Sequence, residues 1–117
     1  MKKIYYLKTC DTCKRILKNI DLNGFELQDI KSKPLKVSEL EELYKLSGSY
    51  DALFSKLAKK YKELDLKNHQ ISEEEMKNFI LEEYTFLKRP VIVNEDKIFI
   101  GSGKKNLELL YADLGIK

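Results

Sequence analysis

Ile4-Tyr5-Tyr6-Leu7-Lys8-Thr9-Cys10-Asp11-Thr12-Cys13-Lys14-Arg15-Ile16-Leu17 contains both cysteines of the 117-residue chain and changes its apolar period halfway along. Ile4-Tyr5-Tyr6-Leu7 is rich in β-formers and suits a buried strand, whereas Cys13, Ile16, Leu17 and Ile20 recur at helical spacing. The cysteines therefore stand where a strand hands over to a helix. At such a junction the first-turn N–H groups are unpaired and the helix dipole favours negative charge, which stabilises a thiolate. Cys10 comes first in the junction and is the expected nucleophile. Cys13 falls one turn later on the apolar face and is the expected resolving thiol, closing a reversible Cys10–Cys13 disulfide. Lys8, Lys14 and Arg15 add positive charge nearby.

Working outward from the junction, Asp11 to Leu22 read as the first helix, with Gly24 as its C-terminal cap. Phe25 to Ile30 alternate as a second strand. Ser38 and Glu41 form a capping box ahead of Leu40, Leu43 and Tyr44, and Ser47-Gly48-Ser49 ends that helix. Leu53, Phe54, Leu57, Ala58 and Tyr61 make an apolar stripe over short helical pieces. A second capping box, Ser72 to Glu75, opens a helix carrying Met76, Phe79, Ile80 and Glu83. The period changes again after Arg89-Pro90, where Val91-Ile92-Val93 and Lys97-Ile98-Phe99-Ile100 flank Asn94-Glu95-Asp96 as a β-hairpin. A last helix from about Lys104 to Tyr111 follows the loop Gly101-Ser102-Gly103. A βαβ opening and a ββα close can share one sheet, so the expected fold is α/β and thioredoxin-like, a four-stranded mixed sheet with an inserted helical subdomain. Its halves are expected at about 1–32 and 87–117 and the insertion at about 35–86, within a single domain.

Composition sets the background for this chemistry. A chain of 117 residues with 43% hydrophobic content buries roughly two-thirds of its unfolded surface in one domain, without a staple. The start Met1-Lys2-Lys3 is followed by only Ile4 to Leu7 before Lys8, too short for a signal-peptide apolar region, and no stretch approaches a membrane span. A cytoplasmic location is expected, where a CxxC pair is catalytic, redox-sensing or metal-binding more often than a structural bridge. A fixed bridge over so short a loop would contribute only about 2 kcal/mol through loop entropy, and a cytosolic reductant would open it. A structural zinc site normally needs four Cys or His ligands, and the chain has two cysteines and one histidine, so no metal is expected. His69 lies in a polar connection and reads as a solvated loop residue. The 22 basic and 19 acidic residues are mixed along the length, and Lys56, Lys59, Lys60 and Lys62 read as a solvated helix face, not a nucleic-acid surface.

Arg89-Pro90 is the second informative spot. Proline at a strand start suits an edge or turn, and in a thioredoxin-like fold that position faces the redox cysteines. Arg89 is then a cation near the thiolate, able to hold an anionic substrate group by bidentate hydrogen bonds, or else a surface residue pairing with Glu82 or Glu83. Gly101-Ser102-Gly103 could offer N–H groups to an anion, though it is also simply a strand-to-helix turn.

The segments Tyr6 to Lys14, Leu53-Phe54-Ser55 with Lys60 to Leu66, and Leu87-Lys88-Arg89-Pro90-Val91-Ile92-Val93 together resemble the ArsC/Spx family over nearly the full length. The resemblance implies a thioredoxin fold with a helical insertion and a cis Arg89-Pro90 peptide. It implies Cys10, Cys13 and Arg89 as catalytic residues, with Thr9, Thr12, Lys14 and Pro90 lining the substrate. The substrate would be a thiol, a disulfide or an oxyanion. Three branches differ in function. Glutaredoxin-linked arsenate reductases use one cysteine and three arginines, whereas this chain has only Arg15 and Arg89, and the other two oxyanion positions fall near Ser55 and Gly101. The Spx branch regulates transcription by docking on RNA polymerase and carries CxxC, but has a longer C-terminal tail. The short YffB type fits best. The resemblance thus implies a monomeric thiol–disulfide oxidoreductase drawing electrons from glutathione, glutaredoxin or thioredoxin, with no bound cofactor and no direct contact with nucleic acid or membrane. An RNA polymerase-binding regulator is the alternative.

Overall fold

The computed structural model describes residues 1–116 and gathers them into two compact units, 1–33 with 89–116 in one and 34–88 in the other. The first holds strands β1 (Lys2–Tyr6), β2 (Glu26–Asp29), β3 (Val91–Asn94) and β4 (Lys97–Ile100), with helices α1 (Asp11–Lys18) and α5 (Lys104–Leu114). The sheet order is β2-β1-β3-β4. β1 pairs parallel with β2 and antiparallel with β3, and β4 closes the hairpin on β3. This is the mixed four-stranded, thioredoxin-like α/β plan that the sequence predicts.

Central placement explains the composition of β1 and β3. Ile4, Tyr5, Val91, Ile92 and Val93 are all at or near zero exposure, as strands covered on both faces require. Ile4, Ile92 and Phe99 meet Ile16, Leu17 and Ile20 from the α1 region and Leu110 from α5. Each such buried aliphatic side chain contributes roughly 1.5–3 kcal/mol relative to exposure. The hairpin turn is tighter than the Asn94-Glu95-Asp96 expectation. Asn94 belongs to the strand, and only Glu95 and Asp96 turn, Glu95 adopting φ 58°.

The first helix is shorter than its apolar period implies. It stops at Lys18, with Asn19 as C-cap, and Gly24 caps no helix. Asp21 Oδ1 accepts the N–H of Asn23 at 3.0 Å, and Phe25 N–H reaches Leu22 O through a turn in which Gly24 has φ 86°. Asn and Asp offer the backbone these local alternatives, and two turns replace the last helical turn while Ile20 still reaches the core. At the other end of the chain α5 continues to Leu114, past the expected Tyr111.

The second unit carries α2 (Val37–Ser47), α3 (Lys59–Glu63) and α4 (Glu73–Glu82). The Ser72–Glu75 capping box is present: Ser72 Oγ accepts the Glu75 N–H at 3.2 Å and Glu75 Oε1 accepts the Ser72 N–H at 3.1 Å. The Ser38–Glu41 box is not. The helix is capped two residues earlier, at Lys36, where Glu39 Oε1 accepts the Lys36 N–H at 2.9 Å, and Glu41 instead lies 3.9 Å from Lys77 Nζ. Gly48, with φ 87°, ends the helix as expected. The stripe from Leu53 to Tyr61 divides. Leu53 and Phe54 are buried, and Phe54 bridges to Leu87 and stacks on Phe86 at 5.1 Å. Leu57 is 89% exposed, in a turn where its N–H donates to Ser55 Oγ. Among the described residues no helix is long and apolar enough to cross a membrane.

Candidate active site

Sheet register decides what meets the cysteines. β1 and β3 run antiparallel with Tyr5 opposite Val91, so the chain leaving β1 and the chain entering β3 lie at one end of the sheet. Ile100 is also opposite Val91, which brings the end of β4 to the same place, and Asp29 is opposite Tyr6. The Lys8–Cys13 loop, Arg89-Pro90, Gly101 and Asp29 are thereby assembled from four strand ends.

Cys10 is the N-cap of α1, with extended backbone at φ −90° and ψ 112°. Its N–H donates to Leu7 O at 3.0 Å, and its carbonyl accepts from Lys14 N–H at 3.1 Å, which closes the first turn. Its Sγ accepts the Cys13 N–H at 3.5 Å, so the sulfur takes the place of a capping oxygen. Both thiols are free; Cys10 is partly exposed and Cys13 fully buried.

The two thiols are driven in opposite directions. Burial pushes Cys10 up, but the backbone N–H and side chain of Cys13, the Arg89 guanidinium and the Thr12 N–H outweigh it, leaving the thiol below its ordinary 9.0. For Cys13 burial dominates. The thiol is pushed up to about 11, with the hydrogen bond and charge of Cys10 adding to the effect, while the Leu7 backbone and Arg89 oppose it only in part. A negative charge forms on Cys10 first, and once formed it holds the proton on Cys13.

Of the cations the sequence offers near the thiolate, half-buried Arg89 is the one that acts on Cys10. Lys8 faces Asp29 instead, and Arg15 sits in the last turn of α1, at the far end from the cap. Lys14 and Thr9 are exposed, Thr12 is half-buried, and Pro90 is buried. The Arg89-Pro90 peptide is cis.

Two supporting residues carry no motif in the sequence. Asp29 Oδ1 accepts the Lys8 N–H at 3.2 Å, and Ser32 Oγ donates to its other oxygen at 3.0 Å. Slight burial raises this carboxyl, but the N–H groups of Lys8 and Lys31, the Ser32 hydroxyl and the Lys8 charge bring it below 3.8. Asn106 clamps the other side. Its Oδ1 accepts the Ile100 N–H at 3.0 Å and its Nδ2 donates to Gly101 O at 2.9 Å, while Gly101 N–H donates to Pro90 O at 2.8 Å. Gly101 has φ 83°, a conformation that favours glycine. An Asp ending a strand and an Asn inside a helix are too common to signal such roles before the strand order is known.

His69 is exposed in the second unit. Among the described residues no three His, Cys, Asp or Glu side chains gather as metal ligands.

Comparison with known proteins returns one family. The model of the ArsC family matches residues 5–109. The Bacillus subtilis protein YusI is 28% identical over 109 residues, covering 89% of this chain and 92% of its own. The global transcriptional regulator Spx 1 of Oceanobacillus iheyensis is 24% identical over 104 residues, covering 86% of this chain and 79% of its own. Among solved structures, an ArsC-related protein of Bacteroides fragilis superposes with a TM-score of 0.76 at 25% identity, covering 93% of this chain and 96% of that one.

Proposed function

We propose, from the premise that the chain belongs to the ArsC family, that it is a thiol–disulfide oxidoreductase in which Cys10 attacks and Cys13 resolves. The observation that carries this reading is the opposed ionisation of two thiols one helical turn apart, Cys10 below 9.0 and Cys13 near 11. An attacking thiol must be ionised near neutral pH and reachable. A resolving thiol must be close, yet silent until needed.

The Cys10 thiolate attacks one sulfur of a substrate disulfide. A mixed disulfide forms, and the second sulfur leaves as a thiolate that takes a proton from water. Formation of the mixed disulfide removes the Cys10 charge, one of the causes holding the Cys13 proton. Cys13 then loses its proton and attacks the Cys10 sulfur, forming Cys10–Cys13 and expelling the remaining substrate sulfur, which is protonated in turn. Two electrons have passed from the protein dithiol to the substrate. Two molecules of glutathione, or the dithiol of thioredoxin or glutaredoxin, return them. Arg89 favours the Cys10 thiolate, and Thr9, Thr12, Lys14 and Pro90 border the approach of the substrate.

Turnover of hydroxyethyl disulfide, coupled to NADPH through glutathione or thioredoxin reductase, tests the reading. Catalysis with one donor, abolished in Cys10→Ser, is expected. A wild-type rate equal to the uncatalysed rate with both donors would overturn it.

The likeness to Spx 1 favours a second reading. The same Cys10–Cys13 pair would then act as a redox sensor on a protein that binds RNA polymerase. A stoichiometric polymerase complex that responds to oxidation of the pair, without turnover, distinguishes it. Arsenate reduction is the least supported activity, because a highly charged oxyanion would meet Arg89 alone of the three expected guanidinium groups.

A further inference from the structure

The charge of this chain is not spread evenly. Residues 56–67 contain five lysines against Glu63 and Asp65, a formal +3 that equals the excess of the whole protein. As a sequence this run reads as a solvated face; folded, it is concave. After α3, Asp65 adopts a left-handed backbone with φ 53°, and a single 3-10 turn, Leu66–Asn68, reverses the chain. The reversal leaves a cleft of about 520 Å³ lined by Lys56, Tyr61, Lys62, Asp65 and Lys67. That volume is in the range of small-molecule sites.

The walls of the cleft are fixed while its cations are uncommitted. Tyr61 packs edge-on against buried Phe54, centroids 6.1 Å apart, and Phe54 stacks on Phe86. The Asp65 carboxylate accepts the Asn68 side-chain N–H at 2.7 Å, which ties it to its own turn. Among the described residues no ion pair engages Lys56, Lys62 or Lys67. Three lysines lining one concavity place like charges around it, and an anion with several charged oxygens relieves their repulsion. Lysine suits a phosphate as a rotatable point charge with three donors.

We propose that this cleft binds a small polyphosphorylated anion, with the phosphate groups held by Lys56, Lys62 and Lys67. The cleft is built entirely from the helical unit, so its occupancy is independent of the thiol chemistry proposed above.

The test is a titration of the full-length, ¹⁵N-labelled protein at about 0.1 M salt, where exposed charges more than ~10 Å apart are largely screened. Inorganic pyrophosphate and tripolyphosphate are the probes, with a twelve-nucleotide single strand alongside. Saturable shifts centred on residues 56–67 are expected, tighter for tripolyphosphate. Losing charge-assisted hydrogen bonds should weaken binding by about tenfold or more in Lys62→Gln/Lys67→Gln. The charge-preserving Lys62→Arg/Lys67→Arg should retain it to within a few-fold, and Lys105→Gln, at an exposed position on α5, should leave it unchanged. Linear, unsaturating shifts would overturn the proposal. So would saturable shifts centred elsewhere, equal affinity in the double glutamine variant, or binding of the oligonucleotide without pyrophosphate.

Discussion

Alkylation of the reduced protein with iodoacetamide at pH 7 should separate the two thiols by site alone. Cys13, pushed up to about 11, is ionised in only about one molecule in 10⁴ at this pH. Cys10 lies below 9.0, so at least about one in 100 carries the thiolate. Ionisation therefore favours Cys10 by at least about 100-fold. A less acidic thiol gives a more nucleophilic thiolate, and with a Brønsted slope near 0.4–0.5 two units return roughly eightfold to Cys13. About tenfold in favour of Cys10 remains as a lower bound, before access is considered. Cys13 has zero solvent exposure, which widens the gap further. The assay is time-resolved peptide mapping of the singly alkylated protein, with a urea-unfolded control in which the two sites should label at similar rates. Equal native rates, or Cys13 labelled first, would refute the division of roles.

The same geometry makes further predictions. Arg89→Ala should shift the pH profile of Cys10 alkylation upward, because a cation favouring the thiolate is lost, and Arg89→Lys should restore part of the effect; an unmoved profile would make Arg89 a structural residue. Stability should also record the Cys13 shift. A thiol raised in the folded state contributes stability that is fully present below pH 9.0 and is lost as pH rises through about 11, a loss of about 3 kcal/mol. Urea midpoints across that window should fall more steeply for wild type than for Cys13→Ala, and parallel curves would contradict it. Arsenate with glutathione and glutaredoxin should give little turnover above background; saturable reduction abolished in Cys10→Ser would restore arsenate as a substrate.

What the sequence made legible was local. A strand run, a cysteine at the cap position and a helical period follow one another within fourteen residues, and the hairpin is equally compact, so short-range pattern sufficed for both. Where it misled, local chemistry competed with period: the Asp21 carboxylate drew the chain after α1 into a turn, and Glu39 took the capping role assigned to Glu41. The electrostatics of the site were the hardest part. Lys8 and Arg15 are near Cys10 in sequence, yet one faces Asp29 and the other sits at the wrong end of the helix. Arg89 is 79 positions from Cys10 and reaches it only through the antiparallel register of β1 and β3. Asn106 and Asp29 depend on that register too. The Arg89-Pro90 dipeptide points to the cation once a thioredoxin-like fold is expected, whereas no period or motif marks Asn106 or Asp29.

The central claim is that Cys10 attacks and Cys13 resolves, and oxidised glutathione tests it in one mass measurement. Reduced wild type treated with the disulfide and quenched in acid should lose two hydrogens and carry no adduct, with peptide mapping linking Cys10 to Cys13. Cys13→Ser should stop one step earlier, holding a single glutathione on Cys10. Stable glutathione on Cys13 in Cys10→Ser at a comparable rate, or wild type that accumulates adducts on both cysteines without forming the internal bridge, would contradict the account.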